Sequence, residues 1–174
     1  MATMEVFLIA ALSADGFIAQ TASQVSTKWT SKEDAEFFTK RTKEAGVVVM
    51  GSKTFDTINR PLPGRVTLVC TRNAEQYSQW GDQVRATTLQ PRELIAKLEA
   101  ESWAEVAICG GTSIYTQFMQ AGLINRMYLT IEPIIFGTGL RLFSSELSNK
   151  ISLETTHQLS SQTMVLEYAV TNSS

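Results

Sequence analysis

The feature that most constrains the fold is a regular alternation of short apolar runs with helix-like segments. Apolar runs typical of strands buried on both faces lie at residues 6–12, 47–50, 66–71 and 106–109. Helical patterns separate these runs, with starts near Ser31, Ser52, Pro91 and Thr112. Because parallel strands need long crossover connections, this alternation predicts a mainly parallel sheet covered by helices.

The remaining segments complete this prediction. Weaker strand patterns lie at residues 84–89 and 127–132, and two final runs at about 152–159 and 163–170 read as an antiparallel hairpin. Polar residues 13–30 form a loop long enough to suggest a functional role, and residues 133–142 read as an irregular connection. We therefore expect one α/β domain over residues 1–174, with about eight strands.

Composition narrows the function. Fifteen basic and 17 acidic residues give a net charge of −2, which argues against a nucleic-acid partner. The longest apolar run, 6–12, is far shorter than the roughly 20 residues of a membrane span. The first basic residue is Lys28, so no signal peptide is expected. Cys70 and Cys109 lie in strand-like runs without zinc-site spacing, which predicts a reduced, cytoplasmic protein without a metal.

Two glycine turns could bind phosphates. Residues 51–54 (GSKT) and 110–113 (GGTS) each follow a strand and open a helix, where free backbone N–H groups can meet an anion. Taken alone, residues 51–54 fit a capped helix with an exposed lysine better, whereas residues 110–113 fit a tight turn and a phosphate site about equally well. Residues 51–72 carry four basic side chains against one acid, a local net charge of +3. This excess favours an anionic ligand.

Asp34 is the candidate acid. It lies at a predicted helix start between Trp29 and Phe38, where an apolar pocket could raise its pKa, although acids at helix starts commonly serve only the helix dipole. The single histidine, His157, falls in the predicted terminal hairpin, which disfavours triad or metal–histidine chemistry. A reduction in which a nucleotide cofactor supplies the reactive chemistry fits this inventory better.

Five motifs together resemble the dihydrofolate-reductase-like superfamily. The strongest is residues 49–65, VMGSKTFDTINRPLPGR, which is similar to almost the whole family signature. The others are residues 8–11 (LIAA), Trp29 with Asp34 and Phe38, 110–115 (GGTSIY) and 128–130 (YLT). They occur in family order and cover the chain to about residue 143. The resemblance implies NADPH-dependent reduction of dihydrofolate to tetrahydrofolate.

The resemblance also implies roles for individual residues. Asp34 would bind the pterin and assist its protonation, Thr130 would support that carboxylate, and Trp29 would order water and close the pocket. Substrate contacts would come from Ala11, Phe38, Ile58 and Arg65, the last pairing with the glutamate tail. The implied NADPH contacts are Ala10, Ile18, Gly51, Lys53, Thr54, Thr71, Arg72, Cys109, Gly110, Gly111, Thr112, Ser113, Ile114 and Tyr115. Gly110 and Gly111 would form the family's cis peptide link.

Some segments resemble a different branch of the superfamily. Residues 10–19 and 136–143 are similar to the riboflavin-pathway reductases, Ser52 stands where many relatives have arginine, and Thr112 replaces a third glycine. The alternatives are therefore a reductase of a ribosylaminopyrimidine phosphate and a non-catalytic NADPH-binding module. The family resemblance favours a monomer over a homo-oligomer.

Overall fold

A computed structural model describes residues 3–172 of the chain. Its strands are β1 (Glu5–Ser13), β2 (Phe17–Ala19), β3 (Val47–Gly51), β4 (Val66–Cys70), β5 (Val84–Thr87), β6 (Glu105–Ile108), β7 (Arg126–Glu132), β8 (Leu140–Arg141), β9 (Lys150–Gln158) and β10 (Met164–Thr171). Its α-helices are α1 (Lys32–Ala45), α2 (Ser52–Ile58), α3 (Pro91–Ala100) and α4 (Thr112–Gln120). Short 3-10 segments lie at Ser26–Lys28 and Ala74–Gln83.

Eight strands form one sheet in the order β5-β4-β3-β6-β1-β7-β10-β9. The first six of these strands are parallel, whereas β10 pairs antiparallel with both β7 and β9. The predicted α/β class, the mainly parallel sheet and the terminal hairpin are therefore confirmed. The hairpin strands begin and end within two residues of the predicted positions.

Hydrophobic side chains cover both faces of this sheet. Along β1, Leu8 packs with the buried residues of α3 and α4, whereas Phe7 and Ile9 pack on the opposite face with Phe55 of α2. Strand β1 is thus buried on both faces, as its continuous apolar run predicts. Because the crossover helices cover both faces, the open positions for a ligand are at the ends of the strands.

A second, two-stranded sheet departs from the sequence expectation. Strands β2 and β8 pair across the segments expected to be a polar loop and an irregular connection. Gly139 has a φ of +155°, and a Cβ there would lie 2.2 Å from the carbonyl oxygen of Ala19. A strand of two or three residues is too short to show the period-two alternation by which strands are recognised in a sequence. The polar loop is therefore anchored to the segment after β7.

Candidate functional site

A large cleft opens at the carboxyl ends of the parallel strands. Its volume is about 1580 Å³, which exceeds that of most pockets for a single drug-sized ligand. The end of β1, one side of α1, and the turns from β3 to α2 and from β6 to α4 line it. This is the position at which open parallel sheets bind ligands.

The cleft gathers nearly all of the residues expected at a site. The lining includes Ala10, Ala11, Ile18, Asp34, Phe38, Gly51, Lys53, Thr54, Ile58, Arg65, Thr71, Arg72, Cys109, Gly110, Gly111, Thr112, Ser113, Ile114 and Tyr115. Two of the expected residues, Trp29 and Thr130, do not contribute to this lining.

Asp34 lies in the first turn of α1, with its carboxyl group at the cleft wall. Ser31 caps the helix by accepting a hydrogen bond from the Asp34 backbone N–H at 3.1 Å, as the sequence predicts. Asp34 is only 9% exposed, and burial raises the pKa of its carboxyl group. Hydrogen bonds from Thr130 and Thr30 lower this pKa, and the nearby Glu132 raises it further. The net direction is upward.

Thr130 and Trp29 lie in different parts of the structure. Thr130 is 1% exposed on β7, and its hydroxyl lowers the pKa of the nearby Asp34 carboxyl group. Trp29 instead lines a smaller cavity of about 560 Å³ and packs edge-on against Phe136 at 5.0 Å. Its indole Nε1 is buried without a hydrogen-bond partner among residues 3–172. Thr130 therefore lies close to Asp34, whereas Trp29 lies off the cleft wall.

Glu132 is a functional candidate that the sequence reasoning missed. It is 3% exposed, and it follows Thr130 by two residues on β7, so both side chains lie on the same face of the sheet. The signal was present in the sequence as an acidic residue at the end of an apolar strand. Its burial, however, depends on Ser31 and Thr163, which come from distant segments.

Arg65 is a buried cation in the lining of the cleft. It is 8% exposed, and its guanidinium donates to Thr42 Oγ1 at 2.8 Å and to the Pro63 carbonyl at 3.1 Å. Burial lowers its pKa, but a guanidinium stays protonated in proteins. Among residues 3–172 it forms no ion pair. A buried cation without a carboxylate partner is costly, and an anionic ligand would offset that cost.

Further basic side chains surround the cleft. Lys43, Lys53, Arg60 and Arg72 contribute to its lining, whereas Asp34 is the one acidic residue in that lining. None of these four cations forms an ion pair within the part of the chain that the structure describes. The local positive charge seen in the sequence therefore faces a common space, which favours anions.

The turn from β6 to α4 brings backbone close to the cleft. The Gly110–Gly111 peptide is cis, as the family resemblance implies. Gly110 has a φ of +114° and its carbonyl accepts from Gly51 N at 2.8 Å. A Cβ on Gly111 would lie 3.3 Å from Thr54 Oγ1. No side chain caps the start of α4, so backbone N–H groups there remain available to a ligand.

Neither Cys70 nor Cys109 of the cleft is an activated nucleophile. Burial raises the pKa of Cys70 to about 11 and that of Cys109 well above its usual range, so both remain thiols at neutral pH. His157 is half-buried on β9 and hydrogen-bonds Glu167 at 2.6 Å, away from the cleft.

Within residues 3–172, no group of three or more His, Cys, Asp or Glu side chains could hold a metal ion. Over the same residues, no helix is long and apolar enough to cross a membrane.

Comparison with known proteins places this cleft in a family. The family model described as Dihydrofolate reductase matches residues 5–136, more than half of the chain. The chain belongs to the dihydrofolate reductase family. A dihydrofolate reductase of Aedes albopictus is 27% identical over 136 residues, covering 71% of this chain and 70% of that protein. This family consists of oxidoreductases.

Solved structures from two branches share the fold. A dihydrofolate reductase from Enterococcus faecalis complexed with NADP(H) has a TM-score of 0.70 and 21% identity, covering 98% of each chain. A diaminohydroxyphosphoribosylaminopyrimidine deaminase/5-amino-6-(5-phosphoribosylamino)uracil reductase from Thermotoga maritima has a TM-score of 0.78 and 16% identity. That alignment covers 96% of this chain and 56% of the other. These likenesses establish the dihydrofolate-reductase-like fold.

Proposed function

We propose that this protein reduces 7,8-dihydrofolate to 5,6,7,8-tetrahydrofolate with NADPH. The observation that carries the proposal is the pairing of a buried acid, Asp34, with a buried and unpaired cation, Arg65, in one cleft. A ligand that satisfies both must have a hydrogen-bond donor at one end and an anion at the other. Dihydrofolate has both, in its pterin ring and its glutamate tail.

Helix α1 sets the separation of the two groups. Arg65 donates to Thr42, which follows Asp34 by eight residues, so the two sites lie about 12 Å apart along the helix axis. Phe38 lies between them on the same face of the helix. Ile58 and Leu62 also contribute to the cleft lining. This apolar stretch would pack on an aromatic benzoyl group, which connects the pterin to the glutamate.

The cofactor would occupy the other part of the cleft. Gly110 and Gly111 contribute backbone without side chains to the cleft lining, and the uncapped start of α4 offers N–H groups to a pyrophosphate. The exposed cations Lys53 and Arg72 would bind the additional phosphate that distinguishes NADPH from NADH. When bound, NADPH would supply the hydride.

The chain's own contribution to the chemistry is orientation and one proton. The Asp34 carboxyl group would hydrogen-bond the 2-amino and ring N–H groups of the pterin, while Thr130 holds the carboxyl group in place. Because its pKa is raised, Asp34 retains its proton to a higher pH than a free aspartic acid. That proton would pass through a water to the ring nitrogen beside the reduced carbon. Protonation makes the carbon a better hydride acceptor.

A ribosylaminopyrimidine phosphate is the second candidate substrate. The higher TM-score of the Thermotoga maritima reductase favours it, and Arg65 could pair with a phosphate as well as with a carboxylate. The apolar surface of Phe38, Ile58 and Leu62 favours dihydrofolate instead, because a hydroxylated ribose chain would lose hydrogen bonds to water there.

The deciding experiment measures NADPH oxidation with each substrate and with neither. Turnover that requires dihydrofolate would support the proposal, whereas turnover with the pyrimidine phosphate alone would replace it. In Arg65→Ala, KM for dihydrofolate is expected to rise about 10- to 100-fold, since a charge-assisted hydrogen bond is lost. Arg60→Ala removes an exposed cation from the same cleft and is the matched control. An equal effect of both substitutions would argue against a specific contact at Arg65.

A further inference from the structure

Glu132 is a buried carboxylate that the reaction described above does not use. Its Oε1 accepts hydrogen bonds from the Ser31 backbone N–H at 3.0 Å and from Ser31 Oγ at 2.7 Å. Its Oε2 accepts from Thr163 Oγ1 at 3.1 Å. Both oxygens act only as acceptors, which is the pattern of an ionised carboxyl group. Within residues 3–172 no cation forms an ion pair with it.

Ser31 connects Glu132 to Asp34. The Ser31 hydroxyl donates to Glu132 and accepts from the Asp34 backbone N–H, so Glu132 lies beneath the first turn of α1. Thr130, which lowers the pKa of the nearby Asp34 carboxyl group, is on the same face of β7 as Glu132. Two buried acidic side chains therefore share one small region behind the cleft wall.

Hydrogen bonding alone does not explain a carboxylate at position 132. A glutamine could accept from Ser31 with its amide oxygen and donate to Thr163 with its amide nitrogen, without burying a charge. An uncompensated buried charge is destabilising, even though the start of α1 partly favours an anion. What a carboxylate adds over an amide is a negative charge near Asp34, and a like charge opposes ionisation of its neighbour.

We propose that Glu132 is a positioning residue that keeps Asp34 protonated and holds the first turn of α1 in place for proton donation. This inference rests on the proposed role of Asp34 as the acid of the reduction. Glu132 touches neither the cleft nor the expected ligands, so it acts only through Asp34 and Ser31. It lines the smaller cavity instead, together with Trp29.

Few other charged groups face this pair. Glu33, on α1, is exposed and lines the smaller cavity, and Asp15, from the β1–β2 turn, is exposed and accepts from the Phe136 and Gly137 N–H groups. Tyr115 of α4 faces Asp34, but it donates its proton to the Ile9 carbonyl at 2.7 Å and its pKa is raised by burial. None of these supplies a positive charge.

The test follows the titration of Asp34 by NMR, using protein labelled with ¹³C at the aspartate carboxyl groups. The chain has only four aspartates, and Asp34→Asn identifies the signal of interest. In the wild type, its inflection is expected above the usual aspartate value near 3.9. In Glu132→Gln, the inflection is expected to move downward, toward that usual value. Glu132→Met removes the same charge without an amide and is expected to give the same fall.

Two controls separate charge from structure. Glu33→Gln removes an equal charge from the exposed side of α1, where solvent screens it, and is expected to leave the inflection in place. Thr163→Val removes one hydrogen bond to Glu132 but keeps its charge, and it is expected not to lower the inflection. An inflection that stays unchanged in both Glu132 variants, or a wild-type inflection at the ordinary value, would overturn the inference.

Kinetics provide the second measurement. The descending limb of kcat against pH is expected to move to lower pH in Glu132→Gln, with the low-pH plateau of kcat retained. A uniform loss of kcat at every pH would instead indicate a merely structural residue and would contradict the inference. Because the NMR titration needs no substrate, a protein that fails to reduce dihydrofolate would refute the proposed function while leaving the effect of Glu132 on Asp34 measurable.

Discussion

Two largely buried arginines, Arg41 and Arg65, lie in contrasting environments. Arg41 is 11% exposed and pairs with Glu105 at 2.6 Å and with Glu5 at 3.0 Å. Its guanidinium also stacks on Phe7, 4.0 Å from the ring centroid. Arg65 is as deeply buried but has only neutral oxygen partners among the described residues.

The difference follows from what each arginine side chain faces. Glu5, Glu105 and Arg126 stand at the first positions of β1, β6 and β7, so the Arg41 network joins the amino ends of three strands. Arg65 directly precedes the first residue of β4, but its side chain lines the cleft. The charges of the Arg41 network are satisfied within the protein, which is typical of structural groups. The charge of Arg65 faces the cleft without an ion-pair partner among the described residues, which is typical of functional groups.

Among these substitutions, Asp34→Asn is expected to have the largest effect. It should lower kcat strongly without lowering the free energy of unfolding. The Asn variant cannot donate the proton, so kcat should fall about 10²- to 10⁴-fold and lose its pH dependence. The free energy of unfolding should not fall. Since the Asp34 pKa is raised, ionisation destabilises the native state as pH rises through that pKa, and the Asn variant avoids this loss.

The measurements are steady-state kinetics from pH 5 to 9 and urea unfolding at pH 7. The Asn variant should unfold at the same urea concentration as the wild type or a higher one. An unfolding midpoint well below that of the wild type would make Asp34 a structural residue, like Arg41. Unchanged kcat would remove it from the mechanism.

Arg41→Gln is expected to show the opposite behaviour. It leaves Glu5 and Glu105 without their shared partner and should lower the free energy of unfolding by about 3 kcal/mol. KM for dihydrofolate should not change, because Arg41 does not line the cleft. Urea unfolding and initial rates measure the two effects. Arg85→Gln, an exposed arginine on β5, is the control and should change neither. A raised KM in Arg41→Gln would break the division between the two regions.

The sequence predicts the fold and most of the cleft because both depend on local patterns. Continuous apolar runs identify the parallel strands, and the glycine turns after β3 and β6 lie where a parallel sheet must bring them together. Asp34 and Arg65 were found through the family resemblance. What the sequence alone could not supply is that one is buried beside Glu132 and the other lacks a carboxylate partner.

The missed features depend on contacts between distant segments. Glu132 is buried by Ser31 and Thr163, which are 101 and 31 residues away along the chain. Likewise, pairing of the short strands β2 and β8 joins segments that each lack a detectable period. Trp29 was expected at the substrate pocket, but it packs on Phe136, from the segment that leads into β8. The last two outcomes depend on the position of the segment after β7.

Arg72→Gln is expected to have the smallest effect of these substitutions. It tests whether an exposed cation of the cleft selects NADPH. Arg72 is exposed, so solvent would screen its proposed contact with the additional phosphate of NADPH, and kcat/KM for NADPH should fall only about fivefold. NADH lacks that phosphate, and its kcat/KM should stay the same.

The comparison of both cofactors at low and high salt measures this, with Arg85→Gln as the control for lost surface charge. The fivefold difference should shrink as salt rises, because screening weakens an exposed contact but not the buried one at Arg65. An equal loss with both cofactors would mean that Arg72 contributes to the general field of the cleft and does not select NADPH.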